Sequence, residues 1–136
     1  MMSAAEENYC RGTSLQESGD FSGALAAFDA SLQAAPQVAA VHYARGTVLA
    51  MLRRLAEAVQ AYARCVEIEP GHVAALYNQA TALALLQRWH DALAALDGIV
   101  AKFPAMADAW NNRAGVLQAL GRTKEGLDSA MRVLEL

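Results

Sequence analysis

The chain has 136 residues, 55% of them apolar, and carries a net charge of −3. So apolar a chain is not disordered, and 11 basic against 14 acidic residues leave too little positive charge to neutralise nucleic-acid phosphates or coat an anionic membrane. Alanine (31 residues) and leucine (17) dominate and β-branched residues are sparse, which is the composition of an all-α fold.

The elements follow one another as helical hairpins. The first turns at Ser18-Gly19-Asp20, where glycine supplies a left-handed backbone and aspartate can start the next helix, and it ends at Pro36. The second turns at Arg53-Arg54 and ends at Pro70; the third turns at Gln87-Arg88 and ends at Pro104. Neither of these turns contains an obvious breaker, so the repeat register places them. The fourth turns at Leu120-Gly121-Arg122 and stops short of a closing proline. The three prolines cannot continue a helix and mark the passages between hairpins. The acidic excess is concentrated at the start: residues 1–38 hold five acids and one base.

A constant step of 34 residues organises this series. It relates Pro36, Pro70 and Pro104. It also relates Ala24, Ala58, Ala92 and Gly126; Gly12, Gly46, Ala80 and Ala114; Phe21, Leu55, Trp89 and Thr123; and Phe28, Tyr62, Leu96 and Ala130. Small residues in two of these columns let paired helices approach closely, and bulky ones fill the space beside them. Ala130 stands where a bulky side chain is expected, so the last helix should pack less tightly.

Ala24-x3-Phe28 running on to Pro36, Ala58-x3-Tyr62 running on to Pro70, and Trp110 with Leu120-Gly121 resemble the tetratricopeptide repeat. Arg11, Arg45, Gln79 and Arg113 depart from the leucine that the family places before its first-helix glycine, and Ala80 and Ala114 replace the glycine itself. The resemblance implies one domain over 1–136, a right-handed α-solenoid of antiparallel helix pairs, with repeats at about 5–38, 39–72, 73–106 and 107–136. First helices would line a concave face and second helices a convex one. The chain ends on an apolar stripe, Met131 to Leu136, in place of a polar cap. Two readings stand: a fragment of a longer array, or an end covered by self-association into a homo-oligomer.

No nucleotide, zinc-protease or nucleophile-elbow motif occurs. No catalytic residue, metal site or cofactor is expected. His42 takes the family's opening aromatic place and is expected to pack; His72 falls in a loop between repeats; His90 is expected to face water. Cys65 reads as a small buried hydrophobe and Cys10 as an accessible residue of the groove face. They lie 55 residues apart without metal-ligand spacing, which suits a reducing compartment. The N-terminus does not read as a signal peptide, and no apolar run is long enough to span a bilayer, so a cytoplasmic chain is expected.

By the resemblance, function sits on the groove columns. One reads Tyr9, Tyr43, Tyr77 and Asn111; the next Cys10, Ala44, Asn78 and Asn112; a third Thr13, Thr47, Thr81 and Gly115; a fourth Glu6, Ala40, Ala74 and Asp108. The tyrosines either pack on neighbouring helices or offer rigid contact area to a ligand. Two amides one repeat apart, Asn78 and Asn112, match the donor and acceptor of a peptide bond and resemble the asparagine ladder of O-linked N-acetylglucosamine transferase arrays. The basic clamp that some cochaperones use for a C-terminal carboxylate is not reproduced, since its places hold Tyr9, Ala74 and Asn78. Ala40, Ala44, Ala50, Ala74 and Ala84 with Met51 and Leu85 suggest an apolar trough, and Glu6, Glu17 and Asp108 give it acidic ends suited to a basic flank. The expected function is a non-catalytic module that binds a peptide or helix in this groove. The alternatives are the acceptor-presenting array of a larger enzyme, such as a bacterial glycosyltransferase, and a self-assembling scaffold.

Overall fold

The computed structural model describes residues 1–136, and every regular element in it is a helix. In chain order these are α1 (Ala4–Glu17), α2 (Phe21–Ala34), α3 (Ala39–Met51), α4 (Leu55–Ile68), α5 (Val73–Leu85), α6 (Trp89–Lys102), α7 (Ala107–Ala119) and α8 (Thr123–Leu134). The chain forms two compact units, Met1–Ala75 and Leu76–Leu136, with the boundary inside α5.

In the first unit α1 pairs with α2 and α3 with α4, and α2 packs against α3. The fully buried rings are Phe28 and Tyr62. Each lies over a glycine of the partner helix, and the approach is too close for any side chain there. A Cβ on Gly12 would fall 2.5 Å from the Phe28 ring, and one on Gly46 would fall 2.7 Å from Tyr62. Val41, Val48, Leu49 and Cys65 complete this core. In the second unit α7 pairs with α8 and packs against α6. Its core is aliphatic: Leu83, Leu93, Leu96, Ile99, Val116 and Leu117 are buried.

The four tips within the hairpins share one construction. Gly19, Arg53, Gln87 and Gly121 all have positive φ, at 86°, 62°, 59° and 76°. The N–H of the next residue returns to the carbonyl five back, from Asp20 to Leu15 at 2.9 Å and from Arg54 to Leu49 at 2.9 Å. Arg88 to Leu83 at 2.9 Å and Arg122 to Leu117 at 2.8 Å repeat the bond. This is the left-handed helix end that glycine normally provides. Two of the four tips make it without glycine, which explains why their sequences read as poor breakers.

The helix starts that follow these tips differ. Asp20 caps α2 through its own carboxylate, which accepts the Gly23 N–H at 2.9 Å. At the equivalent places Arg54, Arg88 and Arg122 reach forward to Glu57, Asp91 and Glu125 at 2.7, 2.9 and 2.6 Å. The passages between repeats are tied by another recurring bond. His42 Nε2 lies 2.8 Å from the Pro36 carbonyl, and Trp110 Nε1 donates to the Pro104 carbonyl at 2.8 Å. His42 is therefore buried as a packing residue, held by a bond of the kind the indole makes 68 residues later.

Candidate functional site

Each unit presents its own set of groove residues. In the first unit Tyr9 and Tyr43 are half-buried, and their rings lie 5.9 Å from those of Phe28 and Tyr62. Tyr43 also lies 4.8 Å from the ring of His72, whose Nδ1 accepts the Ala75 N–H at 3.1 Å. These two tyrosines extend the core ring pairs outward, so part of each ring serves packing.

The threonine column is engaged by the helix itself. Thr13, Thr47 and Thr81 donate their hydroxyl hydrogens to the carbonyls of Tyr9, Tyr43 and Tyr77 at 3.0, 3.1 and 3.1 Å. A hydroxyl so bonded offers a ligand its lone pairs and no hydrogen. Thr47 additionally lies 3.3 Å from the Tyr62 hydroxyl. Sequence reading places these residues on the right helices but does not show that their donors are in use.

In the second unit Tyr77 and Asn78 are half-buried on α5, and Asn111 and Asp108 are exposed on α7. Asn112 Nδ2 donates to Thr81 Oγ1 at 3.4 Å. The chain Asn112–Thr81–Tyr77 carbonyl therefore orients the Asn112 amide across two helices, while its carbonyl oxygen takes no bond from the protein. Such an amide keeps one N–H and its acceptor for a ligand, the pairing that an extended peptide backbone satisfies. Gly115, at the place of the threonines, is exposed.

The three acidic residues expected at the groove ends differ in their engagement. Glu6 closes a reciprocal cap on α1: its carboxylate accepts the Ser3 N–H at 3.2 Å while Ser3 Oγ accepts the Glu6 N–H at 3.2 Å. These bonds, the backbone one first, hold the Glu6 carboxyl below its ordinary range. Glu17 and Asp108 are exposed. Of the residues expected to line an apolar trough, Met51 in the first unit and Leu85 in the second are more than half exposed.

Cys10 is exposed with its Sγ 4.0 Å from Met2 Sδ, and Cys65 is fully buried. Burial, and then the charge of Glu69, pushes the Cys65 thiol up, away from the reactive thiolate. No three His, Cys, Asp or Glu side chains converge in a way that could hold a metal ion. No helix is long and apolar enough to cross a membrane.

Sequence reading missed one feature. A hollow of about 440 Å³ opens between α7 and α8, lined by Asn111, Ala114, Gly115, Gln118, Thr123, Gly126, Leu127 and Ala130. Ala130 alone had signalled loose packing there; the other small residues become informative only when read place by place against the earlier repeats.

A model of the tetratricopeptide repeat matches residues 9–73 and 77–135. No curated protein matches the sequence. Among solved structures, MamA residues 41 to the end from Desulfovibrio magneticus RS-1 superposes with a TM-score of 0.92 at 20% identity, covering 99% of this chain and 76% of that one. Another MamA crystal structure gives 0.92 at 16% identity, covering 96% and 77%. YrrB, described as a repeat protein of the same kind with an unusual peptide-binding site, gives 0.89 at 21% identity, covering 96% and 68%. At these identities the structures share the fold of paired helices stacked as a solenoid.

Proposed function

The chain belongs to the tetratricopeptide-repeat family, and on that premise we propose that it is a non-catalytic interaction module whose first helices bind an extended peptide or a helical segment of another protein. The observation that carries this reading is the Asn112 amide, oriented by Thr81 and left with an unbonded carbonyl oxygen. It occupies the repeat place that Asn78 occupies one repeat earlier. Two amides in one column suit a ligand held by its backbone, and Tyr77 beside them suits an apolar side chain. The peptide-binding site described for YrrB lends support by analogy of fold.

A peptide array screened with the intact chain tests the reading. Ligands selected by the native protein should lose about tenfold or more in affinity to Asn112→Ala and to Asn78→Ala, the loss of one charge-free hydrogen-bonded anchor with its desolvation cost. Selected peptides that bind the doubly substituted chain unchanged would overturn the role given to the amides. An array that yields no ligand would overturn the peptide reading itself.

A further inference from the structure

The passage between the first and second repeats and the passage between the third and fourth are built from the same residues, 68 positions apart. Asp29, Pro36, Arg45, Arg64 and Glu67 return as Asp97, Pro104, Arg113, Arg132 and Glu135. The bonds return with them. Arg45 of α3 reaches back to Asp29 of α2 at 2.5 Å, and Arg113 of α7 to Asp97 of α6 at 2.7 Å. Arg64 and Arg132 each hold the glutamate three residues on, at 2.7 and 3.1 Å. One repeat after the first set the pattern lapses: the places of Asp29, Arg45 and Arg64 hold Ala63, Gln79 and Gly98.

Two differences separate the matching sites. Trp110 stands where the first has His42, and each ring nitrogen meets the equivalent proline carbonyl. Ser129 stands where the first has Ala61. In the second unit the indole lies against two guanidiniums, its ring centre 5.9 Å from Arg113 and 5.5 Å from Arg132. Ser129 Oγ there accepts a bond from Arg113 Nη1 at 2.5 Å. In the first unit His42 supplies the five-membered ring that meets the carbonyl and lacks the fused six-membered one. Arg45 bonds Asp29 through Nε, and the methyl group of Ala61 offers its terminal nitrogens no acceptor. A hollow of about 350 Å³ opens here, lined among others by His42, Arg45, Gln60, Ala61 and Arg64. It lies within the first unit, among α2, α3 and α4.

We propose that this hollow binds an aromatic ring that carries a carboxylate. The ring takes the place of the missing six-membered ring against the two arginines, since a guanidinium plane stacks well on a π face. The carboxylate gives Arg45 the acceptor that Ser129 gives Arg113, in a stronger, charge-assisted form, and the Gln60 amide adds a second donor. The acids nearby leave room for that charge. The Asp29 and Glu67 side chains are 46% and 61% exposed, so water screens them, and Glu57 is held by Arg54. Two sources carry such a group: a free aromatic acid, or the C-terminal aromatic residue of a peptide. No residue of the hollow belongs to the groove columns, so this proposal and the groove reading fail independently.

Indole-3-acetate, titrated into the intact isotope-labelled chain, should give saturable shifts of the His42 ring and Gln60 amide signals. Indole-3-acetamide, its neutral analogue, should bind about tenfold more weakly, having lost the charged acceptor. Arg64→Ala, an exposed substitution, should weaken the acid by a similar factor. The double variant His42→Trp with Ala61→Ser rebuilds the second unit's arrangement in the first, and should abolish binding because the chain then fills the hollow itself. A short glycine peptide ending in tryptophan with a free carboxylate separates the sources. Affinity equal to that of the acid assigns the hollow to a C-terminal residue, and weaker affinity assigns it to a free acid. The proposal is overturned if indole-3-acetate gives no saturable shift or the amide binds equally well. It is equally overturned if Arg64→Ala or the double variant binds the acid unchanged.

Discussion

Gly12 and Gly115 both sit inside first helices of repeats, and the structure around them could hardly differ more. The first lies under the Phe28 ring with no room for one further carbon; the second has open space on its outer side. In α1 the missing side chain lets two helices close on an aromatic ring. In α7 it leaves a void beside a helix that has lost its ring. A small residue in a repeat array is therefore informative only together with its partner place.

Substitution by alanine separates the two cases. Gly12→Ala and Gly46→Ala should each destabilise the chain by about 1–3 kcal/mol, because the added methyl group forces a buried ring aside. Gly115→Ala should stabilise it by about 1 kcal/mol, since the helix gains propensity and nothing is displaced. Urea midpoints at constant slope would measure both. The same sign at all three positions would erase the distinction.

The hairpin tips offer a second comparison, between those that have glycine and those that do not. Arg53→Gly and Gln87→Gly should each add about 1 kcal/mol by relieving a left-handed residue with a Cβ, and Gly121→Ala should cost a similar amount. Thermal unfolding of the three variants would sharpen or dissolve the idea that all four tips are one structure.

The smallest expected effect separates the helix starts. Arg54 and Arg122 hold the carboxyls of Glu57 and Glu125 below their ordinary range, chiefly by direct hydrogen bonds. A carboxyl depressed in the folded state adds stability that is complete above its unfolded pKa of about 4.3, and that stability is lost as pH falls through the folded value. Both pairs are exposed, so the effect should be slight and should fade in high salt. Melting curves from pH 6 to pH 3 should show a shallower acid decline in Glu57→Gln and Glu125→Gln. The Asp20 cap on α2, built on a backbone N–H, should be less sensitive to salt.

The 34-residue step made the fold legible because each repeat repeats the same packing problem. It located even the Arg53 and Gln87 tips, which local propensity would have passed over, and it placed Cys65 and His42 inside. For the candidate groove residues the sequence gives the helix each one lies on and not its hydrogen-bonding state. Nothing in the sequence shows that the Thr13, Thr47 and Thr81 donors turn back to carbonyls, because an i−4 bond leaves no pattern of its own. The charge of Glu6 suggests an acidic rim, whereas Ser3-x-x-Glu6 is a capping box. The arginine–aspartate pairs join residues 16 apart on different helices, a spacing that corresponds to no single helix face.

Those pairs also give the repeats a reading order. Each arginine belongs to the later repeat and each aspartate to the earlier one, so a junction is matched or mismatched according to which repeat precedes which. Lengthening the array by duplicating residues 5–38 would bring Arg11 of the copy to Asp29 and renew the pair. Duplicating residues 39–72 would bring Arg45 of the copy to Ala63 and leave it without an acid. Modular extension of this protein is thus a problem of syntax, and its first repeat is the one unit that can legitimately follow itself with the charge pair intact.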